Sequence, residues 1–280
     1  MTAVALATAC AVIFGTADFF GGLATRRSRV LAVVVISQLG GLALVCALMP
    51  VLPGTASPAA LLWGMASGVA GAAGIVLFYR SLASGMMSVV APTTATTSMA
   101  VPVLFGLVQG ERPSATAMTG IALGLLAVLL VSRESGAGRS AARLGPLVSA
   151  LASGAGFGGF FVLLKLAPAG SGLWPLAGAR IASISLVVLL ALVSRRTLRP
   201  IPGALPVTIA AGVLDMAANV LYLLAARGGM LSLVAVLVSL YPASTLLLAR
   251  YVLDERLNRV QIAGVGFALG AVALIALPHT

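Results

Sequence analysis

The sequence predicts an all-α integral membrane protein of ten transmembrane helices, arranged as two inverted five-helix repeats. Three observations carry that expectation. Composition is 60% hydrophobic and 8% charged over 280 residues, with a mean hydropathy of +1.14; such a chain lacks the polar surface to cover a water-soluble globule. The apolar residues fall into stretches long enough to cross a bilayer. The chain also matches itself at a nearly constant offset, with an odd number of stretches in each copy.

A spanning helix needs roughly 20 mostly apolar residues. Short polar or Gly/Pro-containing breaks divide the chain into spans at 3–24, 30–50, 59–80, 87–108, 115–132, 146–167, 174–194, 205–226, 231–252 and 260–277. Breaks such as Arg26-Arg27-Ser28-Arg29 and Asp254-Glu255-Arg256 are too brief to hold a soluble domain. The first span has no basic residue ahead of it and reads as a retained helix rather than a cleaved signal. Cys10 and Cys46 both lie in apolar stretches, so packing is their expected role, and neither a disulfide framework nor a thiolate metal site is expected.

The net charge of +11 does not point to nucleic acid, because the basic residues fall mostly in the breaks and form no basic domain. With alternating spans, one side of the membrane collects Arg26, Arg27, Arg29, Arg80, Arg133, Arg139, Arg143, Arg195, Arg196, Arg199, Arg250, Arg256 and Arg259. The other side holds Arg112, Lys165 and Arg227, while Arg180 lies inside the seventh span. The positive-inside rule then puts the breaks after the odd-numbered spans in the cytoplasm and both termini outside, in a multi-pass protein of the cell membrane.

Residues from about 66 to 130 match residues 144 positions later: Gly68-Val69 with Gly212-Val213, Gly85-Met86 with Gly229-Met230, Glu111-Arg112 with Glu255-Arg256. The first spans align at an offset of 143, with Phe14-Gly15 on Phe157-Gly158. This divides the chain into a first repeat at 1–133, a connecting loop at 134–145 and a second repeat at 146–280. Five spans per repeat is an odd number, so the second repeat enters the membrane from the opposite face. Inverted repeats recur in secondary transporters, where two similar units can exchange inward-open and outward-open shapes.

The segment LFYRSLASGMMSVVAPTTATTSMAVPVLFGLVQGERPSATAMTGIALGLLAVLLVSR and its second-half counterpart, LYLLAARGGMLSLVAVLVSLYPASTLLLARYVLDERLNRVQIAGVGFALGAVALIAL, resemble the helix-3-to-5 portion of an EamA repeat. Such repeats carry a proline in the fourth helix and a Gly-Glu or similar acidic pair 13 residues on, as Pro242 and Glu255 do; in the first half Ser98 stands at the proline position, between Pro92 and Pro102. The resemblance implies the drug/metabolite transporter superfamily, whose members mostly export amino acids, metabolites or drugs. Members are often described with cytoplasmic termini, the reverse of what the arginines of this chain predict.

Ionisable groups in the hydrocarbon cost roughly 2.5–3.5 kcal/mol each on insertion scales, so those retained face a cavity or a partner. Asp18 and Asp215 are the acids within spans, and their repeat counterparts are Phe161 and Gly71, so neither is demanded by the scaffold. Helical spacing puts Thr208, Gly212, Asp215, Asn219 and Tyr222 on one stripe, expected to face the space between the halves as an amine or proton site; the structural alternative is a buried pair with Arg180. Asp18 shares its face with Thr8, Ala11, Gly15 and Gly22, which suits either an approaching solute or helix packing. Thr93 and Thr97 beside Pro92, with Ser239 and Tyr241 beside Pro242, are candidate solute contacts on kinked helices, although such hydroxyls also bond their own backbone. Arg180, aligned with Gln38, could bind a carboxylate but more simply neutralises Asp215. Lys165 and Arg80 are expected to snorkel. Gly64/Gly68, Gly120/Gly124, Gly154/Gly158 and Gly266/Gly270 have close-packing spacing, inside the chain or in a homodimer through spans 5 and 10.

The leading reading is a secondary transporter, an exporter of a small metabolite, amino acid or drug, working by alternating access with a proton exchanged at Asp215 or Asp18. Its partners are the lipid bilayer and a small-molecule substrate, with no nucleic acid, no cofactor and no metal expected. An enzyme acting on lipid would want a His/Asp/Glu cluster, and the sole histidine is His279, next to the last residue. A membrane scaffold would have no reason to align Asp215, Asn219 and Tyr222.

Overall fold

The computed structural model describes residues 2–26, 28–84, 87–131, 144–193, 195, 203–254 and 257–277. These form α1 (Thr2–Thr25), α2 (Val30–Leu48), α3 (Pro58–Ser84), α4 (Met87–Val108), α5 (Ala115–Val131), α6 (Leu144–Leu166), α7 (Trp174–Val193), α8 (Leu205–Gly228), α9 (Leu231–Val238), α10 (Tyr241–Val252) and α11 (Arg259–Ala276), with a short 3-10 turn at Ala169–Ser171. The all-α architecture expected from the apolar spans is therefore present. Most of the expected connecting loop at 134–145, along with Arg27, Arg133, Arg139, Arg143, Arg196, Arg199, Glu255, Arg256 and His279, lies outside the described residues.

Helix starts follow local chemistry. Pro58 opens α3 where a missing N–H costs nothing, and the Ser57 hydroxyl accepts from the Ala60 N–H at 3.1 Å. Ser114 does the same for α5, accepting from Ala117 N–H at 3.2 Å. At α11, Asn258 and Gln261 form a reciprocal capping box, with bonds of 2.7 and 3.1 Å. α5 is the shortest single-helix span, 17 residues, or about 25 Å at ~1.5 Å per residue, close to the ~30 Å hydrocarbon core.

One expected span is not a single helix. The ninth, 231–252, is broken at Ser239 and Leu240 into α9 and α10. Pro242 has no N–H to give the carbonyl four residues back and its ring crowds that turn, so the helix stops and restarts. The Ser98 at the equivalent place leaves α4 continuous from Met87 to Val108, and the flanking Pro92 and Pro102 do not interrupt it.

The strongest packing joins one repeat to the other. α1 packs on α8, α2 on α8 and α1 on α9 and α10; the mirror contacts are α6 on α3, α7 on α3 and α6 on α4. Two mixed bundles result. One contains α1, α2, α8 and the α9–α10 pair; the other contains α6, α7, α3 and α4. α5 pairs with α11, and α2 with α7 and α4 with α9 join the bundles. Equivalent glycines make very close crossings: a Cβ on Gly212 would sit 2.0 Å from the Ser37 carbonyl oxygen, and one on Gly68 2.3 Å from that of Ala179, with Gly64 on the same helix 2.1 Å from that of Pro175. No other residue lets α8 meet α2, and α3 meet α7, at that distance. Gly120, Gly124 and Gly270 pack within the chain too, against Ile275, Val236 and Leu123.

A second cross-repeat device sits in the turn after α4. Gly110 adopts φ +90°, a conformation that costs an L-residue about 1–2 kcal/mol. This turns Glu111 back so that its carboxylate accepts from the N–H groups of Leu231 and Ser232 (2.9 Å for the latter) at the start of α9. Two otherwise orphaned donors and the positive helix end are thereby satisfied by the other repeat. Asp254, the equivalent of Gly110, also has positive φ, +54°. The Gly-Glu pair noted in the sequence is therefore a helix cap. Glu111→Ala is expected to lower stability by about 1–2 kcal/mol, a fall of about 2–8 °C in thermal unfolding of the detergent-purified protein; an unchanged Tm would remove the cap from the fold's energetics.

Candidate functional site

Between the two bundles lies a cavity of about 530 Å³, within the ~300–1,000 Å³ range of small-molecule sites. Six helices line it, α1, α2, α3, α6, α7 and α8. Along α1 the lining runs from Phe14 to Thr25, its last residue, so the cavity reaches the end of the bundle that carries Arg26 and Arg29. At the opposite end two cations are fixed on the protein: the Lys165 ammonium donates to the Ala226 carbonyl, and Arg227 donates to the Ser171 hydroxyl at 3.0 Å.

The lining residues are largely repeat equivalents, which puts the cavity on the pseudo-twofold relating the halves. Phe14 and Phe157 face it together, as do Asp18 and Phe161, Gln38 and Arg180, Gly71 and Asp215, Ala72 and Met216, and Ile75 and Asn219. Backbone positions are shared and chemistry is not. The α1/α2/α8 wall carries Asp18, Ser37, Gln38, Asp215 and Asn219; the α3/α6/α7 wall carries Phe157, Phe160, Phe161, Arg180 and Ser183.

Arg180 ties the walls together. Its guanidinium forms an ion pair with Asp215 and donates to the Gln38 side-chain oxygen, which also accepts from the Ser183 hydroxyl at 3.2 Å. The Arg180 side chain is 11% exposed and that of Asp215 39%, so the arginine is consumed by its partners while the aspartate keeps a face on the cavity. Asn219 donates to the Asp215 backbone carbonyl at 2.8 Å and to its carboxylate at 3.3 Å. Both donations use the amide nitrogen, and the Asn219 side-chain oxygen, buried, meets no donor.

Asp18 is exposed on the cavity wall. Among the described residues no hydrogen bond or ion pair engages its carboxylate, although Asp215 and Tyr241 are within electrostatic reach. Around it is an aromatic group: Phe14 lies 6.4 Å from Phe161 and 6.1 Å from Tyr241, Phe161 lies 5.3 Å from Phe160, and Phe161 lies 4.5 Å from Tyr222 between ring centroids.

Of the residues expected from sequence, Asp18, Asp215, Asn219 and Arg180 meet in this cavity. Tyr222, Thr93, Thr97, Ser239 and Tyr241 do not line it. Tyr222 is fully buried and its hydroxyl donates to the Phe161 carbonyl at 2.8 Å, joining α8 to α6. Thr208, from the same stripe, bonds its own turn at Ala204, 2.8 Å. Thr97 bonds the Thr93 carbonyl at 2.8 Å and packs on α6, where a Cβ on Gly154 would lie 2.5 Å from that of Thr97. Ser239 bonds the Ala235 carbonyl at 2.7 Å beside the helix break. Cys10 donates to the Ala218 carbonyl at 3.0 Å, a packing contact between α1 and α8. The phenylalanines of α6 were not singled out as lining residues; only the alignment of Phe14 with Phe157 carried that signal.

The model of the EamA-like transporter family matches residues 1–133 and 145–277. Among solved structures, one described only as "Crystal structure of protein" superposes with a TM-score of 0.83 over 98% of this chain and 98% of its own, at 16% identity, which speaks for the fold alone. No curated protein matches the sequence.

The Arg180 network predicts a non-additive pair. Arg180→Gln leaves Asp215 without its counter-charge, and adding Asp215→Asn relieves that, so the double variant is expected to unfold at a higher temperature than Arg180→Gln alone, with a coupling energy of about 0.5–3 kcal/mol. Additive Tm changes would contradict the pairing.

Proposed function

The chain belongs to the EamA-like transporter family, and on that premise we propose that it is a secondary transporter that exports a small solute through the cavity between its two mixed bundles, coupled to protons. One observation carries this reading: a metabolite-sized cavity on the pseudo-twofold axis, lined from both repeats and holding two carboxylates. A static scaffold gains nothing from a carboxylate facing an internal cavity in the membrane, where it costs several kcal/mol. A transporter does gain, because a group whose charge is satisfied only by a proton or a ligand changes its preferred conformation with its occupant.

The positive-inside rule places the arginine-bearing end in the cytoplasm, so the cavity reaches the compartment from which an exporter loads. Access then alternates when the wall built from α1, α2 and α8 rocks against the wall built from α3, α6 and α7. Each wall is drawn from both repeats, so the moving units are the mixed bundles rather than the two halves of the sequence. The closed end is the one where Glu111 caps α9 and Lys165 holds α8. Asp18 and Asp215 share the coupling: the Asp215–Arg180 pair bridges the walls, while Asp18 exchanges occupants.

Purified protein in liposomes, offered a panel of amino acids and organic amines with and without a pH gradient, tests this. Counterflow of at least one solute, accelerated by the gradient, is expected, with gradient dependence lost in Asp18→Asn and Asp215→Asn. Movement of no solute would sink the transport reading. Gradient-driven uptake unchanged in both variants would remove the two acids from coupling and leave transport standing.

A further inference from the structure

The cavity wall has an unequal account of charge and hydrogen bonds, and that account specifies a ligand. The one cation among its described lining residues, Arg180, is spent: one nitrogen is on Asp215 and another on Gln38, and the side chain is 11% exposed. None of these residues leaves a positive charge free to receive a substrate carboxylate. Asp18, by contrast, faces the cavity without an ion pair or hydrogen bond among the described residues, and the Asn219 side-chain oxygen meets no donor. The charged group lacking a partner among the described lining residues is thus an acceptor, Asp18, beside two neutral groups, the Asn219 side-chain oxygen and the Gln38 amide nitrogen. Across from Asp18, α6 presents the rings of Phe157, Phe160 and Phe161.

We propose that the solute recognised in this cavity is an organic cation with N–H donors and an apolar body, its ammonium on Asp18 and its body against the phenylalanines of α6, and that zwitterionic and anionic solutes are rejected. The physical reasons are complementary. A carboxylate in a low-dielectric cavity is stabilised by a cation bearing donors. Aromatic faces add attraction for that cation and take up the apolar body. An added carboxylate would meet Asp18 and Asp215 with no free cation to offset the repulsion, and a site discriminates most strongly when the wrong ligand leaves a charge unpaired. Neutral isosteres would bind weakly because they leave Asp18 unpaired.

This inference rests on the transport reading and names the substrate class of the same cavity, so its test reads binding separately from movement. Isothermal titration of the full-length protein in detergent at neutral pH uses four probe types that share a phenyl-alkyl body: aryl-alkyl amines from benzylamine to 4-phenylbutylamine, the corresponding alcohols, phenylalanine, and phenylacetate. The amines are expected to bind at least tenfold more tightly than the other three. Asp18→Asn is expected to remove that preference by weakening the amines while the alcohols bind more tightly, since no charge is then left unpaired, and Asp18→Glu, which keeps the charge, is expected to retain it, which separates lost recognition from misfolding. Phe161→Leu should weaken the amines about 2- to 10-fold. Absence of amine binding, tighter binding of phenylalanine or phenylacetate, or an amine preference that survives Asp18→Asn each overturns the proposal. Asp18-dependent amine binding without movement in liposomes would leave this assignment intact and sink the transport reading, whereas movement of phenylalanine with inert amines would do the reverse.

Discussion

Close packing of each repeat against the other, through equivalent small residues, is the constraint on which the rest of the molecule depends. In hydrocarbon there is no hydrophobic force drawing one apolar helix to another, so association rests on how near the backbones come. Gly212 on Ser37, Gly64 on Pro175 and Gly68 on Ala179 are among the nearest approaches, and all lie between repeats. Because the repeats are inverted, such contacts come in pairs, and two mixed bundles follow. A cavity where the bundles face each other is then flanked by equivalent positions, whatever side chains occupy them.

The chemistry of the cavity exploits this. Asp18 faces it opposite its equivalent, Phe161; Gln38 faces it with Arg180; Gly71 gives room where Asp215 places a charge. Symmetry supplies a place for each side chain, and substitution at one member of each pair makes one wall acidic and the other aromatic. Arg180 is the bridge, and its two partners are on α8 and α2, which Gly212 has brought together. Loss of that crossing would therefore be felt at the ion pair as much as in packing.

The start of α9 follows the same cross-repeat logic. A helix terminus in or near a membrane must find partners for its free N–H groups, and at α9 the partner is Glu111, delivered by the left-handed Gly110. The break between α9 and α10 lies where Pro242 removes a donor, close to the packing of Tyr241 on Phe14. Discontinuous helices at midplane sites are a recurrent transporter feature; here the break abuts the aromatic group rather than the carboxylates.

The sequence by itself determined the all-α membrane architecture, its two repeats and the placing of Asp18, Asp215 and Arg180 within apolar spans, because these follow from quantities read locally: apolar length, self-similarity and the position of a charge along a span. It also contained the alternative that Arg180 neutralises Asp215, which is the pair observed. Only the tertiary structure decided which polar residues share a cavity. Thr97, Ser239 and Tyr222 are as polar in sequence as Asn219, yet each bonds a nearby or crossing backbone instead. The Phe157–Phe161 wall was illegible for a related reason. A helix whose outer face meets lipid is as apolar outside as inside, so no periodicity marks the inward face, and that face is set only when helices from the two repeats, far apart in sequence, pack together.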